Sequence, residues 1–266
     1  MGKYKDIDYF VDKILAESEA SEMSLNIYQG EENDAKIRRE NLRFYLEEMK
    51  KLKPSYLFVG EAPGRWGCFQ TGIPFTDIKI LNEHQFFQKR KKLGELDYES
   101  NNFLPKKETE SEITSSDVWE QLNILLQKGL KLPLLWNIYP FHPATKETCD
   151  ETSADKRENG HPTSKECNIG IKILFDLLEC FNNIKKIYPI GKRASDTFQK
   201  KFLAVGNALR HPSYGGSEEF KKQFNEIYQI KNTKLKKKDQ KKPKHQENKK
   251  NQKKNRKDQN SEESEE

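Results

Sequence analysis

Two polar residues lie at the ends of apolar segments, where they could take part in chemistry. Glu61 is the one acid inside the turn GEAPG (60–64). A turn rich in Gly and Pro exposes backbone N–H groups and lets the chain approach a phosphate or sugar closely. Asn137, in WNIYPFHP, offers both a donor and an acceptor, which suits the imide edge of a pyrimidine. Taken singly, an ordinary strand-to-loop turn is the better explanation of each.

A second pair of such residues lies in RHPSYGG (210–216). His211 could donate a hydrogen bond to an oxygen that becomes anionic, and Ser213 with the amides of the turn could hold a phosphate. A lone histidine beside a proline is nevertheless more often structural. In IGKRA (190–194), Gly191 would end a strand before a helix, and we expect it to be structural. The remaining histidines show no comparable arrangement: His84, His142, His161 and His245.

Four apolar segments precede or contain these residues and predict the strands that position them. They are SYLFVG (55–60), LPLLWNI (132–138), IKKIYPIG (184–191) and NALRHP (207–212). Each is apolar enough to be buried on both faces, which is typical of parallel strands covered by helices. Strands alternating with helices predict an open α/β sandwich, in which ligands bind outside the carboxyl ends of the strands. The residues that follow each strand are therefore the candidates for a site.

Capping patterns predict the helices between these strands. Asp117 and Glu120 have the spacing of a capping box and predict a helix that begins at about Val118; Thr163 and Glu166 repeat the spacing. The second helix carries an apolar stripe made of Ile169, Ile173, Leu174, Leu177, Leu178 and Phe181.

Other segments predict structure without a candidate catalytic residue. Further helices are expected after Gly191 and after Ser217. Segment 6–51 predicts one or two amphipathic helices, and segment 93–114 is a polar insertion without periodicity.

The composition separates a folded region from a tail. Of all residues, 33% are hydrophobic and 34% are charged, so part of the chain is expected to stay unfolded. Segment 231–266 lacks aromatic residues and predicts a disordered, Lys-rich tail, with 14 Lys and Arg against 7 Asp and Glu. Residues 1–230 then hold 34 against 35, so the net charge of +6 belongs to the tail. The tail either attracts phosphates without regard to sequence or only improves solubility.

The N-terminal segment does not indicate a membrane protein, and the cysteines do not indicate a metal site. The start, MGKYKDIDYF, is polar, which predicts neither a signal peptide nor a membrane span and favours a cytoplasmic protein. The four cysteines contain no CxxC pair and are expected to be reduced thiols: Cys68, Cys149, Cys167 and Cys180.

In chain order, GEAPG with TGIPF, WNIYPFHP, IGKRA and RHPSYGG resemble the motif series of the uracil-DNA glycosylase superfamily, in its family 4-like branch that begins with GEAPG. The resemblance covers residues 55–220, and VWEQL and NGHPTSKE extend it, although Gly160 stands where arginine is expected. It implies a three-layer α/β/α sandwich with a four-stranded parallel sheet, within a domain over 1–230. It also implies an enzyme that flips a damaged nucleotide out of DNA and hydrolyses its N-glycosidic bond without a metal or other cofactor.

The resemblance implies roles for four residues. Glu61 is similar to the acid that orients or activates the water, and His211 to the donor that binds uracil O2. Phe75 would stack on the flipped base, and Asn137 would bind its N3–O4 edge.

The same resemblance implies contacts to the DNA backbone. Ser213 and the amides of the 60–64 and 211–216 turns would bind the flanking phosphates. Tyr214 or its neighbours would fill the gap in the duplex. The first turn contributes Gly60, Ala62, Pro63 and Gly64 to substrate binding.

Two departures from the family's motifs limit which residue roles can be carried over to this sequence. The best-known branch has GQDPY, whose aspartate is catalytic and whose tyrosine excludes thymine; Ala62 and Gly64 stand at those positions here. The acid is then Glu61, and thymine must be excluded by another residue, with Trp66 and Phe69 as candidates. Some GEAPG members carry an iron–sulfur cluster that uses an N-terminal CxxC, but no cysteine precedes Cys68. Cys149 and Cys167 would supply half of such a site at most, so no cluster is expected.

The sequence therefore predicts a monomeric, monofunctional uracil-DNA glycosylase that acts in base excision repair on uracil-containing DNA. Two alternatives remain open. The same fold could act on another lesion, such as hypoxanthine or a mismatched thymine, or the chain could be a non-catalytic nucleic-acid-binding module dominated by its tail.

Overall fold

A three-stranded parallel sheet forms the centre of the protein in a computed structural model that describes residues 6–88, 112–153, 156–201 and 205–230. Its strands are β2 (Tyr56–Gly60), β3 (Leu134–Asn137) and β5 (Lys186–Pro189), in the order β3-β2-β5. Gly60 pairs with Asn137 in the register of β2 with β3, so the two strands end side by side. The parallel α/β architecture predicted from the sequence is confirmed.

The predicted fourth strand, 207–212, is not formed as a continuous strand. The chain makes isolated parallel bridges to β5 and to the residue that follows it, from Val205 to Ile187 and from Leu209 to Ile190. Between these bridges it advances four residues while β5 advances three, so the register shifts by one residue. A strand with an extra residue bulges and cannot keep a regular ladder, which is why the sheet has three strands rather than four.

Helices cover both faces of this sheet, as the alternating pattern predicts. On one face the ring of Phe58, in β2, lies 5.4 Å from the ring of Phe224. On the other face the ring of Trp136, in β3, lies 5.7 Å from that of Phe10. Phe224 belongs to the last helix of the described chain and Phe10 to the first helical segment. The core is therefore two-sided, with the sheet between two helical layers.

The helical elements include those that the sequence predicted and two short helices, between residues 68 and 83, that it did not. They are α1 (Ile7–Tyr9) with a π-helical turn (Phe10–Leu15), α2 (Asn33–Leu52), α3 (Cys68–Thr71), α4 (Ile78–Glu83), α5 (Ile113–Gln127), α6 (Ser164–Cys180), α7 (Lys192–Lys201) and α8 (Ser217–Ile227). α7 follows Gly191 and α8 begins at Ser217, as predicted. No helix among the described residues is both long and apolar enough to cross a membrane.

One predicted capping box is confirmed and the other is wrong. The Thr163 hydroxyl accepts a hydrogen bond from the backbone of Glu166, whose carboxylate accepts one from the backbone of Thr163. By contrast, α5 begins at Ile113, and Asp117 lies inside it. The Asp117 carboxylate is 3.1 Å from the ammonium of Lys221 in α8, so this acid joins two helices instead of capping one.

A short antiparallel pair anchors the loop that follows β3. β1 (Ser24–Leu25) pairs with β4 (His142–Pro143). The buried guanidinium of Arg157 donates to the carbonyl oxygens of Glu151 (2.8 Å) and His142 (3.2 Å). These bonds fix the segment that leads from β3 to α6.

Two predictions fall largely outside the described residues. They are the disordered tail, 231–266, with its boundary to the domain over 1–230, and the polar insertion, of which only 112–114 are described.

Candidate functional site

A cavity of about 430 Å³ lies at the carboxyl ends of the strands, where ligands bind in open α/β sheets. All ten residues that the sequence singled out line this cavity. They are Gly60, Glu61, Ala62, Pro63, Gly64, Phe75, Asn137, His211, Ser213 and Tyr214. The structure therefore brings together residues that are up to 154 positions apart in the chain.

Backbone and side-chain hydrogen bonds hold the GEAPG turn against the end of β3. The backbone N–H groups of Ile138 and Tyr139 donate to the carbonyl oxygens of Gly60 (2.9 Å) and Glu61 (3.0 Å). The buried His142 ring places Nδ1 2.8 Å from the Pro63 carbonyl oxygen. Burial lowers the pKa of His142 to about 4, so the ring is neutral at pH 7 and its Nδ1–H donates to Pro63.

Gly60 leaves room for an aromatic ring and an amide at the floor of the cavity. A Cβ atom at Gly60 would lie 2.5 Å from Cζ of Phe75 and 2.8 Å from Oδ1 of Asn137. Both side chains are buried, at 8% and 4% exposure. Phe75 adopts a left-handed backbone with φ of 56°, which costs energy in a non-glycine residue, and its carbonyl accepts a bond from the Trp119 indole at 3.1 Å.

The Asn137 amide is oriented by a buried thiol. Its Nδ2 lies 3.8 Å from Sγ of Cys68, and burial raises the pKa of that thiol to about 12, so the thiol stays neutral. One amide hydrogen is thus directed to sulfur, and the oxygen and the second hydrogen remain for a ligand.

The half-buried carboxylate of Glu61 is flanked by an imidazole and a guanidinium. Its Oε2 lies 3.4 Å from Nδ1 of His161 and its Oε1 lies 3.7 Å from Nη1 of Arg193, with 27% of the side chain exposed. Burial raises the pKa of Glu61, whereas His161 and Arg193 oppose that rise. The result is a carboxyl group whose pKa lies above its ordinary value, as is common for groups that exchange protons.

His211 is a neutral imidazole in a defined tautomer. Burial and the neighbouring Arg210 lower its pKa, and the backbone N–H of Ser213 donates to its Nδ1 at 3.2 Å. Because Nδ1 accepts that bond, the ring proton lies on Nε2, which is a hydrogen-bond donor. Gly191, with φ of +88°, allows this placement, because a Cβ atom there would lie 3.3 Å from Cβ of His211.

The turn that carries His211 is close-packed at its base and exposed at its tip. A Cβ atom at Gly216 would overlap the His211 carbonyl oxygen. The hydroxyl of Ser213 lies 2.9 Å from that of Thr114. Tyr214 is 98% exposed with φ of 56°, so its ring projects from the protein surface at the cavity mouth.

The cavity contains six polar residues to which the sequence analysis assigned no role: Glu112, Thr114, Asn159, His161, Lys192 and Arg193. For His161 and Arg193, the position in the sequence could have predicted a place in the cavity. In a parallel α/β sheet the helix after each strand begins near the carboxyl ends of the strands, and both His161 and Arg193 lie where such a helix begins. Gly160 precedes this histidine because a side chain there would overlap the Ala144 carbonyl. Glu112 and Thr114 lie in the polar insertion, which lacked any pattern.

Trp66 and Phe69, the candidates for excluding thymine, do not line this cavity in the described structure. Phe69 is buried between the guanidinium of Arg38, 5.1 Å from its ring centre, and the ring of His142. Trp66 instead lies against Arg65. Within the described ranges, no group of three or more His, Cys, Asp or Glu side chains could hold a metal ion.

Comparisons with known proteins identify the family and support the fold. The family model of the uracil DNA glycosylase superfamily matches residues 47–232. The crystal structure of wild-type Pedobacter heparinus SMUG2 superposes with a TM-score of 0.54 at 18% identity, covering 83% of this chain and 97% of that protein. This structural match supports the fold. No curated protein sequence matches the chain.

Proposed function

This chain belongs to the uracil DNA glycosylase superfamily and is a DNA glycosylase, and we propose that its reaction is the hydrolytic release of uracil from DNA. The observation that carries the proposal is the cavity itself, which is lined by Phe75 and Asn137 together with the carboxylate of Glu61 and the neutral imidazole of His211. The first two residues are suited to binding a pyrimidine and the other two to breaking its glycosidic bond.

Base recognition in this proposal depends on the floor of the cavity. A flipped uracil stacks on the Phe75 ring, and the Asn137 amide offers its oxygen to N3–H and its second hydrogen to O4. The contact with Cys68 supports a fixed amide orientation, which distinguishes uracil from cytosine because cytosine presents the opposite donor pattern at this edge.

His211 stabilises the departing base. As the bond between C1′ and N1 breaks, its electron pair passes to uracil, and negative charge develops on O2. The neutral imidazole donates from Nε2 to that oxygen, an arrangement supported by the bond from Ser213 to Nδ1. A donor placed before the charge develops needs no reorganisation during the step.

Glu61 completes the hydrolysis. Its carboxylate opposes the positive charge on the sugar and orients a water toward C1′. The water oxygen bonds to C1′ and one water proton passes to the carboxylate; Glu61 then gives up that proton, and the uracil anion takes one up at N1 through solvent, so the carboxylate is regenerated. The products are free uracil and an abasic site, and no lyase step is included because no amine is assigned to attack C1′.

The same proposal assigns the DNA contacts to the rim of the cavity. The amides of the 60–64 turn bind one flanking phosphate, and Ser213 with its turn binds the other. Tyr214, exposed at the tip, enters the duplex in place of the flipped base. We further propose that the protein acts as a monomer, since one chain supplies every assigned group.

The test is release of free uracil from a uracil-containing oligonucleotide in the presence of a chelator. Glu61→Gln should abolish release, and His211→Ala should lower the rate by about a hundredfold to a thousandfold, as for loss of one preorganised donor. Glu83→Gln, at an exposed residue outside the cavity, is the matched control.

Full activity in Glu61→Gln would refute the mechanism, whereas release of hypoxanthine or mismatched thymine in place of uracil would refute the substrate. Tight DNA binding without release of any base would favour the binding-module alternative.

A further inference from the structure

The side-chain space over two glycines of the first loop is filled by a residue from another element. A Cβ atom at Gly64 would lie 2.9 Å from Oε1 of Glu112, and one at Gly67 would overlap Oε2 of the same carboxyl group. Glu112 also lines the cavity. One carboxyl group therefore occupies the volume in which side chains of residues 64 and 67 would otherwise lie.

Hydrogen bonds hold Glu112 in this position. The Ser115 hydroxyl donates to Oε2 at 3.0 Å, and the backbone N–H of Glu112 donates to Oδ2 of Asp77 at 2.9 Å. Asp77 is buried, and its other oxygen accepts from the backbone N–H of Ile80 at 2.8 Å. The carboxyl group is thus fixed at the start of α5 by the start of α4.

Glu112 lies over the same loop that contacts the Asn137 amide. Gly67, beneath the carboxyl group, directly precedes Cys68, whose sulfur contacts the Asn137 amide. In a pyrimidine, the carbon that bears O4 is bonded to C5. In the proposed complex, a group over the loop that contacts the O4-binding amide is therefore the candidate to face the substituent on C5.

We propose that Glu112 is the residue that excludes C5-methylated pyrimidines, and hence thymine, from this cavity. The inference rests on the proposed function and deepens it. The carboxyl group fills the volume that a methyl group would need, and a methyl group pressed against it would strip water from a polar group without replacing its hydrogen bonds. Burial and the nearby Asp77 raise the pKa of Glu112, and the bond from Ser115 opposes that rise.

The experiment compares rates of base release from oligonucleotides carrying uracil or thymine opposite guanine, with enzyme in excess. Glu112→Ala should lower the ratio of the uracil rate to the thymine rate by on the order of tenfold to a hundredfold, the range for one methyl group in a pocket. Glu112→Gln should keep the ratio of the unchanged protein, because the amide fills the same volume. Glu120→Ala, an exposed glutamate of the same helix that pairs with Lys221, is the control.

A second readout separates this inference from the proposed function. Affinity is measured for oligonucleotides carrying 2′-fluoro analogues of deoxyuridine and thymidine, whose glycosidic bonds resist cleavage. Glu112→Ala should narrow the affinity difference between the two. If the unchanged protein releases no uracil, the proposed function fails, and the affinity ratio still tests Glu112. The inference would be overturned if Glu112→Ala left the uracil-to-thymine ratio unchanged. It would also be overturned if Glu112→Gln lowered that ratio as much as Glu112→Ala does.

Discussion

Removing the positive charge of Arg193 should move the acidic limb of the pH–rate profile to higher pH. Burial already raises the pKa of Glu61, and Arg193 and His161 oppose that rise. In the proposed mechanism the ionised carboxylate accepts a proton from water, so the rate should fall as pH falls through the pKa of Glu61. Arg193→Gln removes a cation that favours the ionised form, so this pKa rises further.

The size of the effect follows from the geometry. The guanidinium lies 3.7 Å from the carboxylate and the Arg193 side chain is 59% exposed, so a dielectric close to that of water applies. At about 4 Å two unit charges in water attract by about 1 kcal/mol. Since 1.36 kcal/mol corresponds to about one pH unit, the acidic limb should move upward by about 0.7 pH unit.

The assay is single-turnover base release across the acidic range, at low and at high salt. At about 1 M salt the Debye length is about 3 Å, so the difference between Arg193→Gln and the unchanged protein should shrink. Lys192→Gln is the matched control, since it removes the same charge one position earlier. Its ammonium pairs with Asp196 at 2.6 Å, so the limb should stay in place.

Two results would contradict this reasoning. A limb that stays in place in Arg193→Gln would mean that Glu61 is not the titrating group. An equal movement in Lys192→Gln would mean that the general field of the site, rather than the contact with Arg193, sets the pKa.

Three further predictions test other features. Glu61→Gln should raise the thermal midpoint at neutral pH, because a carboxyl whose pKa is raised by burial destabilises the fold above its unfolded pKa; the gain should vanish in acid, and a gain that persists there would contradict this cause. Gly191→Ala should lower stability by about 1–2 kcal/mol, the cost of a left-handed backbone, and should slow base release by displacing His211; circular dichroism and the rate assay measure the two effects, and a variant with normal values would contradict them. Deleting 231–266 removes a net charge of +7 and should flatten the salt dependence of DNA binding while leaving base preference intact; titrations at several salt concentrations would show an unchanged slope if the tail does not bind DNA.

Much of the fold follows from local patterns in the sequence. The apolar segments that contain Phe58 and Trp136 are buried on both faces. Such segments form parallel strands independently of the sequences of the loops that connect them. The capping box of Thr163 and Glu166 depends on two residues three positions apart, and it forms as predicted. The ordered series of turns after the strands then places Glu61, Asn137 and His211 at one edge.

The parts that could not be predicted depend on contacts between distant segments. Asp117 has the spacing of a cap, yet α5 begins at Ile113, and Asp117 pairs with a cation of α8 from inside the helix. The fourth strand fails because of a one-residue register shift after Val205, which no local pattern reports. Glu112 enters the cavity only because Gly64 and Gly67 have no side chains and leave space for it. The sequence around Glu112 contains no pattern that reports this space in a distant loop.

The backbone conformation at Tyr214 lowers the stability of the fold at a residue that the proposed DNA contact needs. Phe75 and Tyr214 share a φ of 56°, but the Phe75 ring is buried and its packing offsets the strain, whereas the Tyr214 ring is 98% exposed and gains nothing from the fold. Glycine at 214 would relieve about 1–2 kcal/mol of strain and lose no packing. A library ranked by heat resistance alone should therefore enrich glycine at this position, and a library ranked by repair of damaged DNA should retain the ring.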